Sequence, residues 1–445
     1  MTLPENEVAL KVLEDTSWGG GHSFHEKVNR GDSLLVNPHG IEGMGKGRFL
    51  QEMMGVVSEI GGHNIIIEIP RTPSERYAIK LGFRIADLIE DAVLHHDKPQ
   101  STSLETAATR FFSGMAGNWG TLGERFYLLS QQLRGRKDVV PFALGIHNFD
   151  HFPFDDRDAF QNTVLEPLST IPGFITVVTT MNELSWHTWD LRQKCVDIKL
   201  PAYSYEKVEE LAQSKLLAKE VYALSGGHPS TVMALIKEAQ TQIRKPLSTV
   251  TETDLVQVHD LLFGVLHNEI EKNLRSAVGD AWLREMFYVA SVADQFDADL
   301  VGDLAAQFHI DIPDMFSDIA WEMAYTGLAG WDFDKRAYLI VAELRNRIVP
   351  YMREARFQDY VKALFTLADT YFLRAEIIPE KEHALVWGLH YFYDATEWSI
   401  PEDQLDIVDI GALLREKLTV QYKHSSPELL PIVDRLLTEG PSELL

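Results

Sequence analysis

The sequence predicts a doubly wound α/β domain built on a parallel sheet, followed by a longer helical part with one hairpin. Three observations predict it. In the first half, five short apolar runs rich in β-branched residues alternate with segments of helical periodicity. A glycine-rich turn, HGIEGMGKGRFL at His39–Leu50, joins the first of those runs to the first helical segment. After Pro201 the short apolar runs cease and helical spacing takes over. Regular strand–helix alternation requires crossover connections, and these build parallel sheets.

The elements follow in order. Residues 1–30 form an N-terminal segment whose GGGHSFH run, 19–25, reads as turn-rich. Strands are expected over SLLVN (33–37), NIIIEI (64–69), PFALGIHNF (141–149), FITVVTT (174–180) and CVDIKL (195–200). Most are apolar throughout, the pattern of strands covered on both faces. Between them lie helical patterns such as GRFLQEMMGVVSEIGG, closed by a glycine pair, and RFFSGMAGNWGTLGERFYLLSQQLRG. The α/β domain is placed at 31–200.

Residues 201–272 read as short helices, with Ser204 as an N-cap, Glu206 near the first turn, and a turn-rich KPLSTVTETD stretch. Within 273–355, WLREMFYVASVA, DLVGDLAAQFH and DMFSDIAWEMAYTGLAG give three helices. LAGWDFDKRAYLIV then folds into a hairpin around Asp332–Lys335, which is the order of a winged helix. Residues 356–445 are helical and aromatic-rich, with no repeat of about 34 or 40 residues. This acidic, aromatic-bearing region could supply a docking face for a partner, but Trp387, Tyr391, Phe392 and Trp398 read first as core.

Composition narrows the function. The 445 residues suggest roughly three or four domains. Sixty-six acids against 41 Lys and Arg leave a net charge of −25, which disfavours nucleic acid as main ligand. No apolar run approaches the ~20 residues of a membrane span, and MTLPENEVALKVLEDT has no basic region before an apolar core, so a cytoplasmic location is expected. The single cysteine, Cys195, forms no internal disulfide and reads as a strand residue in a reducing compartment.

The chemistry concentrates in the turn. G-x-x-x-x-G-K runs from Gly40 to Lys46, with Gly43 inside it, and the hydroxyl position that normally follows holds Gly47. A loop of this kind surrounds phosphates with backbone N–H groups at a helix N-terminus while the lysine neutralises their charge. The expected phosphate-binding residues are therefore Gly40, Gly43, Gly45, Lys46, Gly47 and Arg48, in a P-loop NTPase fold. Mg²⁺ is normally held by that missing hydroxyl and by an Asp at the end of a later strand. Gly47 has no hydroxyl, and the later strand holds His147, with Asn148 beside it and the next acid at Asp150. No metal site and no catalytic residue is assigned. His147 and His151, four apart, would share a metal on a helix but not on a strand running into a loop; His95-His96-Asp97 reads as a solvated loop.

A second motif, Gly227-His228-Pro229 in SGGHPSTVMALIKEA, opens a helix in the helical segment after the P-loop. With the order of the preceding and following elements, it resembles the lid of the signal-transduction NTPases with numerous domains, the STAND class related to AAA+ proteins. The resemblance implies ATP or ADP as ligand and Pro229 near the adenine. It also implies a polar or arginine group at the end of the sensor strand, where Thr179 and Thr180 here lead into Met181. Members join an effector ahead of the NTPase and a sensor behind it. The short flanks here imply that effector or sensor is a separate protein chain, and an oligomer is compatible with the resemblance. The leading expectation is a regulatory or scaffold nucleotide-binding subunit with impaired or absent hydrolysis, in a bacterial signalling or defence setting by analogy. An active ATPase switch with Mg²⁺ on waters and Asp150 is second. An origin-recognition-like DNA-binding ATPase is third, opposed by the net charge.

Overall fold

The structure, a computed structural model, describes residues 12–14, 16, 18, 22–94, 117–134, 141–316, 318–401 and 408–439. It divides into two compact units, residues 1–202 and 203–445. The stretches 19–21, 95–97 and 110–116, with Gly135 and Ser317, of the runs named above lie outside the described residues.

In the first unit, helix α1 (Phe24–Asn29) is opened by Ser23, which forms a capping box with Glu26. The described end of the GGGHSFH run is thus a helix start, since Ser23 supplies the acceptor that Glu26 N–H needs. Then come β1 (Leu34–His39), α2 (Lys46–Glu59), β2 (His63–Glu68), α3 (Tyr77–Leu94), α4 (Trp119–Arg134), β3 (Phe142–His147), α5 (Phe154–Phe160), β4 (Phe174–Val178), α6 (Trp189–Lys194) and β5 (Cys195–Lys199). The last turns of α5 run on through a π-turn, Gln161–Leu165, into Glu166–Leu168.

The five strands form one parallel sheet in the order β2-β3-β4-β1-β5. This is the doubly wound α/β architecture that the alternation predicts. Burial on both faces holds for the centre, where β1, β3 and β4 are covered nearly along their length. It fails at the edges: alternate residues of β2 face solvent, Ile66 among them, and β5 is mostly half-exposed. An edge strand has a neighbour on one side only, so apolar sequence alone does not ensure its coverage.

The core packs Leu35, Phe142, Leu144 and Ile146 of the sheet against Ile85 of α3 and Leu122 and Phe126 of α4. Phe142 and Phe174 stack across β3 and β4 at 5.1 Å. At Gly145 on β3 an added Cβ would lie 2.7 Å from the Leu50 side chain, so α2 sits directly on that strand. Gly61, with φ 79°, ends α2 and returns the chain to β2.

Parallel strands put their carboxyl ends on one edge, where α/β sheets bind ligands. There the fully buried Asn37 ties three segments together. Its amide donates to Val178 O at 2.7 Å and Thr180 Oγ1 at 2.8 Å, and its Oδ1 accepts from Leu184 N at 3.0 Å.

The second unit contains α7 (Tyr205–Ala212), α8 (Lys215–Ser225), α9 (Pro229–Ile243), α10 (Glu252–Ala277), α11 (Ala281–Ala290), α12 (Ala298–Gln307) and α13 (Ile319–Tyr325). The hairpin β6 (Ala329–Asp332) and β7 (Ala337–Ile340) follows, then α14 (Ala342–Ala355), α15 (Phe357–Ile377), α16 (Lys381–Ser399), α17 (Ile410–Ser425) and α18 (Leu430–Glu439). Ser204 caps α7, accepting from Lys207 N. The hairpin turns where expected, because Asp332 Oδ1 accepts from the N–H groups of Asp334 and Lys335. Tyr391 and Phe392 are core and Trp387 is half-buried, but Trp398 is 42% exposed, with the Arg353 guanidinium 5.1 Å over its ring. Among the described residues no helix is long and apolar enough to cross a membrane.

Asn37→Ala removes the partner of Val178 O and Leu184 N–H in a dry part of the sheet. It should cost about 3 kcal/mol, summing penalties of ~1–3 kcal/mol per orphaned group. A loss under ~0.5 kcal/mol in urea titration would show that the tie is not needed.

Candidate functional site

Beyond β1 the chain turns through Gly40–Gly45 and enters α2 at Lys46. Gly43 and Gly45 have φ near +92° and +91°, a region that side-chain-bearing residues rarely adopt. Gly45 is the N-cap of α2 and offers no side-chain cap, and the first turn carries no acid. The positive end of the helix dipole is therefore presented to whatever anion occupies the loop. Lys46 is only 8% exposed, and its Nζ donates to Gly40 O. Burial draws its pKa down, opposed by the charges of Asp150 and Glu42. Glu42 is itself paired with Arg71 at 3.0 Å, and Arg48 is paired along the helix with Glu52 at 3.1 Å.

The carboxyl ends of β3 and β4 complete the site. His147 Nδ1 lies 2.7 Å from Thr179 Oγ1, and the same hydroxyl accepts from Asn148 N at 3.1 Å. Asn148 adopts the left-handed conformation, φ 59°, which asparagine tolerates. This turns the chain so that Phe149 N donates to Thr179 O at 2.9 Å. Two residues on, Asp150 Oδ2 accepts from Met181 N at 3.0 Å. His151 takes a different partner, its Nδ1 lying 3.0 Å from Ile69 O.

The two departures from the P-loop pattern face each other. A Cβ built on Gly47 would lie 3.5 Å from His147 Nε2 and 3.7 Å from its Cε1. Burial, and then the charge of Lys46, push the His147 pKa down to about 4, against the opposing pull of Asp150. The imidazole is neutral at pH 7. These residues do not fit the Mg²⁺ site that the fold implies: position 47 offers no oxygen, and position 147 offers a nitrogen to a cation that selects oxygen. Among the described residues no group of three His, Cys, Asp or Glu is placed to hold a metal ion.

Gly40, Gly43, Gly45, Lys46, Gly47 and Arg48 thus share one loop and helix start. Pro229 belongs to the second unit. It is buried at the first position of α9, after His228, whose ring Nδ1 accepts from Thr231 N. Gly227 is fixed by its surroundings: at φ 77°, an added Cβ would lie 2.2 Å from Tyr203 O. Sequence reasoning missed Thr179 as the partner of His147, and the bond from Met181 to Asp150. The available signal was polar residues, Asn37, Thr179 and Thr180, ending strands that are otherwise apolar.

No protein-family profile matches the chain, and no curated protein matches it. Several solved structures are similar to it over much of the chain. A single-residue variant of RuvB from Thermotoga maritima is 13% identical, with 72% of this chain and 89% of that chain covered and a TM-score of 0.35. ORC from Drosophila, bound to DNA, is 12% identical over 78% and 92%, with a TM-score of 0.33. The ORC2 protein of Aeropyrum pernix, in ADPNP-ADP complexes, is 10% identical over 74% and 92%, with a TM-score of 0.32. Likeness of this degree transfers neither ligand nor activity.

His147 should titrate far below an ordinary histidine. Its folded pKa, about 4, lies under the unfolded value of 6.5. Between those values the unfolded state binds more protons, so this group's contribution to stability is lost as pH falls from about 6.5 toward 4. Imidazole NMR signals of His147 should stay flat from pH 7 to about 5, and Lys46→Met should raise the pKa by removing a neighbouring positive charge. A wild-type midpoint near 6.5 would contradict the burial.

Proposed function

We propose that the chain is a regulatory or scaffold subunit of the STAND kind, which holds ATP or ADP in the loop at Gly40–Arg48 and turns it over weakly or not at all. The observation that carries this reading is the confrontation of Gly47 with His147 beside an otherwise well-formed phosphate loop. Backbone N–H groups of the loop and first helical turn, with Lys46, would bind the phosphates. Hydrolysis needs charge stabilisation at the transferred phosphoryl group and an oriented water. Here the sensor-strand hydroxyl of Thr179 is engaged by His147 and Asn148, and Asp150 by Met181 N–H.

An acidic chain of net charge −25 suits a protein partner carrying effector or sensor functions, and a reducing cytoplasm suits its single Cys195, whose thiol pKa is raised by burial and by Asp197. A signalling or defence setting rests on the resemblance. The DNA-binding reading gains no local support: α13, the helix before the hairpin, follows Asp318 and carries Glu322 but no Lys or Arg.

Millimolar ATP or ADP should raise the melting temperature of the wild type by a few degrees, as expected for ligand near 100-fold over its Kd, and Lys46→Ala should abolish the rise. ATP turnover in the wild type should not exceed that of Lys46→Ala. Absence of any nucleotide-dependent shift would remove the binding claim. A strong Lys46-dependent ATPase would instead favour the active switch, with Mg²⁺ on waters and Asp150.

A further inference from the structure

Position 47 and His147 lie within contact reach. A Cβ at position 47 would lie 3.5 Å from the imidazole Nε2, an ordinary van der Waals contact, so the ring faces the first turn of α2 where the P-loop pattern places its hydroxyl.

The hydrogen bonds suit one placement of the ring proton. Asn148 N–H can only donate, and it donates to Thr179 Oγ1. The hydroxyl can give its own proton to Nδ1 of His147, 2.7 Å away. In that arrangement Nε2 is the N–H, facing the start of α2. Lys46, the uncapped helix N-terminus and this N–H would all present positive or donor character to a bound anion. For a divalent cation the same place is poor, since Gly47 offers it no side-chain ligand and His147 offers a nitrogen.

We propose that this loop takes a phosphate chain without a divalent cation, the Nε2–H of neutral His147 serving as a hydrogen-bond donor at the place where the fold normally holds its metal. Thr179 is the positioning residue that fixes the tautomer. The proposal rests on the nucleotide-binding reading above and goes further, naming the form of ligand selected: metal-free ADP, ATP or pyrophosphate over their magnesium complexes.

The test is calorimetric titration of the full chain with ADP and with pyrophosphate, each in EDTA and in MgCl₂. Affinity in EDTA should equal or exceed that in MgCl₂. His147→Asp should lose about tenfold or more in EDTA, the scale of one hydrogen bond to a charged group replaced by repulsion, and should regain affinity with Mg²⁺. Thr179→Val should weaken binding in EDTA, and Thr179→Ser should restore it. Because His147→Asp disturbs a packed site, ¹⁵N spectra of the wild-type imidazole provide a second measurement, in which Nε2 should be the protonated nitrogen. A wild type that binds at least about tenfold tighter with Mg²⁺, or a ring protonated at Nδ1, overturns the proposal while leaving nucleotide binding intact. Absence of binding in both buffers instead takes down the nucleotide reading itself, and this proposal with it.

Discussion

A lysine ammonium withdrawn from water at the carboxyl edge of the sheet is the constraint around which the first unit is arranged. Lys46 is almost fully covered, and a buried cation is costly unless nearby groups offset it. The offsets are modest: the carbonyl of Gly40, and the charges of Asp150 and Glu42 at longer range. Every other group brought close must therefore be neutral, anionic or turned away. His147 meets this condition as an uncharged imidazole, Arg48 turns along its helix to Glu52, and Arg71 is drawn onto Glu42. An anion inside the loop would add to these offsets.

Holding that arrangement requires the strand ends to stay in register. Asn37 supplies this from β1, where its amide satisfies the end of β4 and the loop that follows. Thr179 does the same between β4 and β3. In the second unit the fully buried Arg347 plays a comparable part with neutral partners. It donates to Glu343 O at 2.7 Å, Thr231 Oγ1 at 3.3 Å and Asn273 Oδ1 at 3.1 Å, and so joins α14, α9 and α10. Its pKa is lowered to about 10 by burial, and it stays charged at neutral pH. The helix that opens with Gly227-His228-Pro229 is thus fixed at both its cap and its first turn.

The fold was legible because its signals are local. Each strand announced itself as a short apolar run, and the glycine-rich turn announced itself by spacing that only a few backbone conformations satisfy. Exposure at β2 and β5 was not legible, because strand order is decided by pairing across the chain: β4, 141 residues after Asn37 at its Val178, lies beside β1. In the site, Gly47 and His147 were each readable as a departure from a pattern. That they touch is a tertiary fact. The bond of His147 to Thr179 spans 32 residues, and nothing in either segment names the other. Trp398 was misread because aromatic content at helical spacing predicts a buried face without saying where the helix outruns its neighbours.

On the proposed reading, a P-loop without its two metal-holding residues would also lack the usual way of ending a signal, which is to cleave the nucleotide. A ligand shifts a conformational equilibrium only by the difference in its affinity for the two states. Without turnover, that difference must be expressed through occupancy: the chain would respond to which phosphate chain is present and how much of it. The buried Lys46 suits such a device, since an anion arriving beside it cancels a standing electrostatic cost, and the binding energy so released is available to the rest of the chain. A neutral histidine in place of a metal keeps that cost tied to a single cation. Two charges supplied by Mg²⁺ would blunt the dependence on Lys46, whereas a lone N–H donor leaves the lysine as the dominant countercharge of the loop.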